Sequence, residues 1–182
     1  MKKSDITAMP EYFDRYINLV GDYDVIEALK HYDVHWMENE KDSFVRLGDS
    51  VYAPGKWTVK DILQHLIDNE RIFTYRALRF AREDSTILPG CDENSHALSA
   101  KANTRSLDDL LKEFQLVRAS TIALYNSFSD EMMYRDGVAF NKRISVLAIG
   151  FLCVGHAIHH FNIIKERYYP LLQKHTLSST LI

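Results

Sequence analysis

Three histidines, His156, His159 and His160, interrupt the mostly apolar run from Ile144 to Tyr169. The spacing predicts one long helix over that run. With an advance of about 100° per residue and His156 set at zero, Ile149 falls at about 20°, Leu152 at about −40°, His160 at about 40° and Ile163 at about −20°. His156 and His160 then lie one turn apart on the face the helix buries. Buried polar rings need partners. Carboxylates or backbone groups would satisfy two core histidines. Alternatively, residues at i and i+4 can aim two ring nitrogens at one metal ion.

A second i, i+4 pair, His31 and His35, lies on a segment from Val25 to about Met37 whose apolar positions are Val25, Ile26, Leu29, Tyr32 and Trp36. Both histidines fall opposite that stripe and are expected to face solvent, so they are discounted as ligands.

The composition limits what such a site could serve. The chain has 182 residues, 46% of them apolar, which suits a single domain with its own core, with the ordered body expected over about residues 20–170. Net charge is −3 and basic residues alternate with acidic ones, so no basic face points to nucleic acid. Cys91 and Cys153 form no CxxC pair, which fits a reducing cytoplasm. Met1-Lys2-Lys3 leads into Ser4-Asp5 with no apolar h-region, so no signal peptide is expected. Ile144 to Ile164 carries no formal charge, yet three histidines and Asn162 near its centre argue against a membrane span.

Other segments must position these residues. The first 20 residues could dock as an arm. Asn39 to Lys56 reads as a turn-rich connection. Thr58-x-x-Asp61 is a capping signal for a second helix with the stripe Ile62, Leu66, Glu70, Phe73, Ala77 and Phe80. His65 sits at the edge of that stripe, and periodicity alone does not nominate it. A connection from about Glu83 to Arg105 is long enough to be functional or to carry a short helix. Ser106-x-x-Asp109 starts a third helix through Leu107, Leu110, Leu111, Phe114, Val117, Thr121, Leu124 and Phe128. Arg135-Asp136-Gly137 reads as a tight turn before the last helix. Four amphipathic helices with no convincing strand predict an all-α, four-helix bundle.

The runs Pro54 to Arg71, Tyr75 to Arg82 and Gly155 to His160, in that order and spacing, resemble the DinB/YfiT-like superfamily. The resemblance implies a four-helix bundle with one long crossover connection. It also implies a metal held by one histidine of the second helix and two of the fourth, by position His65, His156 and His160. His159, about 60° from His156 and 100° from His160, then becomes a rim residue. Cys153, one turn before His156, is the rival ligand, against its reading as a small buried side chain.

Three imidazoles would leave a divalent ion open to water or substrate, and zinc and nickel both suit such ligands. In related thiol-dependent transferases the ion is thought to hold a low-molecular-weight thiol as nucleophile. The leading expectation is therefore a metal-dependent hydrolase or thiol S-transferase acting on a small electrophile. A non-catalytic, stress-related metal- or ligand-binding bundle and a structural or dimerising protein are the alternatives. A homodimer is expected as well, because Tyr12, Phe13, Tyr16, Tyr168 and Tyr169 read as exposed aromatics.

Overall fold

The computed structural model describes residues 1–178 and is mostly helical. Its helices are α1 (Asp14–Ile17), α2 (Val25–His31), α3 (His35–Glu38), α4 (Lys41–Leu47), α5 (Val59–Ala81), α6 (Glu93–Ala100), α7 (Leu107–Asn126), α8 (Asp130–Tyr134), α9 (Val146–Ile163) and α10 (Tyr169–Ser178). The two long early helices start where their capping residues stand. Thr58 accepts from the Asp61 amide while the Asp61 carboxylate accepts from the Thr58 amide, and Ser106 accepts from Asp109. Both α2 and α5 pack against α7 and α9.

One buried ion pair joins three of these elements. Arg118 of α7 donates through Nε and one terminal nitrogen to Glu70 of α5, both at 2.8 Å, and Thr121 adds a third bond to Glu70 at 2.8 Å. The other terminal nitrogen of Arg118 donates to the carbonyls of Leu29 and Tyr32. Those carbonyls close α2, so the guanidinium sits at a helix C-terminus, where orphan acceptors need a donor. This is the physical reason that the expected helix from Val25 to Met37 is broken. Tyr32 leaves helical geometry at φ −103°, ψ 45°, and Asp33 then accepts from the His35 amide to start α3.

Three further expectations need correction. The segment from Asn39 to Lys56 is not all connection, because Phe44 and Leu47 are buried on the inner side of α4. Arg135-Asp136-Gly137 is not a tight turn. It leads into an antiparallel hairpin of β1 (Asp136–Ala139) and β2 (Lys142–Ser145), with Asp136 opposite Ser145 and Ala139 opposite Lys142. The turn is Phe140-Asn141, both left-handed at φ 53° and 58°, as a two-residue hairpin requires. Gly137 allows the strand to lie on α5, since a Cβ there would meet the Phe80 ring at 2.2 Å. Finally, Ile144 belongs to β2, and the last helix begins after its cap Ser145.

From Val146 the helix runs on through a π-helical stretch, Ile164–Tyr168, into α10. Its apolar length would suffice to cross a membrane, but 72% of its most apolar window is buried inside the chain, which makes it a core helix. Two apolar clusters flank it. Val154 and earlier residues belong to one, Ala157 and Phe161 to the other. The seam between them falls at Gly155-His156.

Leaving Arg118 buried without its carboxylate is costly. Glu70→Ala should therefore lower the unfolding free energy by about 3–5 kcal/mol. Leu116→Ala, an exposed position on the same helix as Arg118, should change it by no more than about 0.5 kcal/mol. Equal effects of the two substitutions in denaturant titrations would contradict this account of the pair.

Candidate metal centre

The packing of α5 on α9 brings His65 against His156 and His160. The Nε2 atom of His156 lies 3.1 Å from that of His65 and 3.1 Å from that of His160. One donor atom from each residue falls within 4.8 Å of the others. Nitrogens bound tetrahedrally to one zinc ion at about 2.0–2.1 Å would stand about 3.4 Å apart, so the spacing fits a common cation. A neutral imidazole nitrogen offers either one N–H or one lone pair. Protons alone therefore serve His156 Nε2 poorly against two neighbours, whereas one cation can engage all three lone pairs.

Burial keeps these rings neutral. His65 and His156 are 4% and 6% exposed and His160 is half-buried. Desolvation pushes His65 down to about 4, with smaller contributions from His159 and His96. It pushes His156 and His160 well below the usual imidazole range, and the neighbouring histidines lower both further. Neutral rings are the form that binds a metal.

The surroundings hold the rings in place. The Asn69 amide nitrogen, one turn beyond His65, lies 3.0 Å from its Nδ1 and donates to its carbonyl at 2.9 Å. The same amide turned over would accept from Nδ1–H, the tautomer that frees Nε2. Trp57 packs on His65 with ring centroids 4.7 Å apart and stacks on His160 at 6.3 Å. Phe73 meets His156 edge-on at 5.6 Å.

Tyr16 stands edge-on to His156 at 5.4 Å and to His159 at 5.0 Å. It arrives on the N-terminal arm, which docks through α1 onto α9. Gly155 makes this possible, because a Cβ there would lie 2.1 Å from the Tyr16 carbonyl oxygen.

The other sequence candidates fall outside the cluster. His159 is half-buried and makes edge-on contacts with Tyr16 and His160, at the rim. Cys153 is buried near Glu70 and Arg118 rather than among the histidines, and burial pushes its thiol pKa well up. His31 and His35 are exposed as expected, the first stacked on Tyr23 and the second bonded to Glu38 at 2.8 Å.

The trio borders two cavities. One, of about 70 Å³, is lined by His156 with Tyr16, Phe73, Arg76, Cys91 and Glu93 among others. The second, of about 200 Å³, is lined by His160 with Lys56, Trp57, Asn94 and Tyr168 among others. Glu93 and Asn94 open α6, which buries none of its residues. The long connection does carry a short helix, and that helix contributes to both cavities. Residue patterns did not single out Asn69, Trp57, Tyr16 or Arg76. The one available signal was Gly155 next to His156, a glycine inside a helical pattern.

Comparison with known proteins shows the family and a shared fold. The model of the DinB superfamily matches residues 16–164, and the chain belongs to that superfamily. A solved structure similar to it is YfiT from Bacillus subtilis, described as a probable metal-dependent hydrolase with an unusual four-helix bundle topology. The likeness has a TM-score of 0.64 at 23% identity and covers 88% of each chain, which speaks for a shared fold. No curated protein matches the chain.

Gly155→Ala tests whether the arm is seated by close backbone approach. It should destabilise the protein by about 1–3 kcal/mol. It should also move the Tyr16 ring off His156, read as a changed near-ultraviolet dichroism. An alanine variant with wild-type stability and spectrum would show that the arm is held elsewhere.

Proposed function

We propose that this protein is a metal-dependent enzyme, a hydrolase or low-molecular-weight thiol S-transferase. His65, His156 and His160 would hold one divalent ion, zinc or nickel. The observation that carries this reading is the convergence of three neutral Nε2 atoms between two cavities. A closed structural site would have four protein ligands, whereas three ligands beside open space suit chemistry. A bound divalent ion supplies Lewis acidity, which polarises an electrophile and makes water or a thiol a better nucleophile at neutral pH.

The chain's own residues do the rest. Trp57, Phe73 and Tyr16 wall the imidazoles and restrict water around them. Asn69 fixes the His65 ring. Glu93 is the carboxylate among the residues lining the His156 cavity, and we assign it the proton released by the nucleophile. Cys91 shares that cavity but is not assigned as nucleophile. The description of YfiT as a probable metal-dependent hydrolase supports the same direction.

For the fold, we propose the four-helix bundle with one long crossover connection, built from α2, α5, α7 and α9. We further propose a cytoplasmic homodimer. Both cysteines are free, in keeping with the first part. Support for pairing comes from the family resemblance rather than from exposed aromatics, because Phe13 and Tyr168 are buried within the chain. Light scattering at micromolar concentration should give twice the mass of one chain, and the single-chain mass would refute pairing.

The metal reading is tested by elemental analysis and turnover on untagged protein. About one ion per chain is expected, lost in His156→Ala and kept in His31→Ala and His35→Ala. With a low-molecular-weight thiol or water and a generic electrophile, His160→Ala should lose activity by about 100-fold or more. Cys91→Ser should keep it. Activity that survives complete chelation would exclude metal-dependent chemistry. Stoichiometric metal with no turnover for any of several thiols or esters would favour a non-catalytic binder.

A further inference from the structure

The cavity beside His156 holds a cation that the metal reading leaves unused. Arg76 lies eleven residues after His65 on α5, which places it about 20° from His65 around the helix and about 16 Å further along it. Its side chain is 7% exposed. A guanidinium carries five N–H donors, yet the hydrogen bond that Arg76 makes runs from one terminal nitrogen to the Pro89 carbonyl at 2.9 Å. Among the described residues no carboxylate is paired with it, although Glu93 lines the same cavity. Among the described residues, Trp36 Nε1 is the buried side-chain nitrogen that lacks any partner, so the remaining donors of Arg76 are not sealed into the protein, and its side chain lines the cavity.

A buried, unpaired charge is expensive, and removing Arg76 from water lowers its pKa. The sequence offers an apolar environment here, with Tyr12, Phe13, Tyr16, Phe73 and Phe140 around the same space. An arginine that serves only packing would snorkel to solvent along such a wall. The Pro89 bond instead holds the guanidinium on the connection that leads to α6, with its free edge turned to a cavity it shares with His156. The planar fork of donors matches a carboxylate in two-pronged contact. Among the described residues Arg76 is the one cation lining this cavity and Glu93 adds negative charge at it, which suits a monoanion better than a phosphate dianion.

We propose that Arg76 is the specificity-determining residue of this cavity and selects small monocarboxylates, whose reacting end then reaches the histidine trio. The selection rests on the metal-enzyme reading for its catalytic purpose, but the binding itself does not. Arg76 would anchor the carboxylate, and because the enclosed space is only about 70 Å³ an apolar body would extend into the mouth beside the exposed Tyr12 and Phe140 rings, with His156 marking the reacting end.

Calorimetric titration with phenylacetate, its neutral isostere phenylacetamide, and phenyl phosphate tests this on metal-free and zinc-loaded full-length protein. In the metal-free protein phenylacetate should bind at least about tenfold more tightly than phenylacetamide, the worth of one charged two-pronged contact. Arg76→Gln should abolish that preference while binding zinc with unchanged stoichiometry. If Arg76→Gln does not fold, nitrogen NMR of the wild-type arginine Nε–H groups provides the second readout. One arginine signal should then shift with phenylacetate and not with phenylacetamide.

Equal affinity for acid and amide, no binding of phenylacetate, or no arginine signal that moves would overturn the proposal. So would a preference that persists in Arg76→Gln or appears only with zinc, since the carboxylate would then be held by the metal. Tighter binding of phenyl phosphate through Arg76 would replace the carboxylate by a phosphate ester. A wild-type protein that takes no metal but keeps the Arg76-dependent preference would remove the metal reading and leave the carboxylate site standing.

Discussion

Arg118 and Glu70 set the geometry on which the rest of the structure depends, because neither group tolerates burial without the other. Each is almost wholly removed from water, and the pair satisfies its donors and acceptors inside the protein. The arrangement admits one register of α5 against α7, since two parallel hydrogen bonds must form at once. It also determines where α2 stops, through the carbonyls of Leu29 and Tyr32. His65 lies five residues before Glu70 on the same helix, so the placement of the carboxylate carries the imidazole toward α9.

What the helices converge on is a small polar island at the seam of two apolar clusters. Desolvation, more than charge, shapes its chemistry. The three trio rings are held neutral mainly because burial penalises the imidazolium, and their mutual repulsion as cations adds to that. Three lone pairs directed into one space are poor partners for each other and good ones for a cation. Aromatic neighbours on three sides limit the motion of the rings, which lowers the entropy lost when a ligand is bound.

Irregular elements complete the site, each through a local device. The arm reaches His156 because Gly155 lets backbone meet helix. The π-helical stretch after α9 ends on Tyr168, whose buried hydroxyl donates to the Trp57 carbonyl and ties down the loop that carries the Trp57 ring. The α6 helix, capped by Asp92 and buried nowhere, spans both cavities with Glu93 and Asn94. A scaffold of well-packed helices thus presents a site to which connecting segments add walls, as is usual for binding regions.

Much of this was legible in residue patterns because it rests on local rules. The caps at Thr58 and Ser106, the stripe of α5 and the i, i+4 pair His156 and His160 follow from helical periodicity and capping chemistry. His65 needed the family resemblance, since its edge position on the wheel is shared by many half-buried side chains. The break after His31, the short α4 and the hairpin at Asp136–Ser145 were not legible. Their causes are a guanidinium 86 residues away from Tyr32, two buried side chains on one short helix, and a strand laid on Phe80. The sequence by itself determined that helices form, which face each buries, and that two imidazoles share a face. Only the tertiary structure decided that a third imidazole joins them and that Arg76 lines a cavity together with His156, because both depend on contacts between segments far apart in the chain.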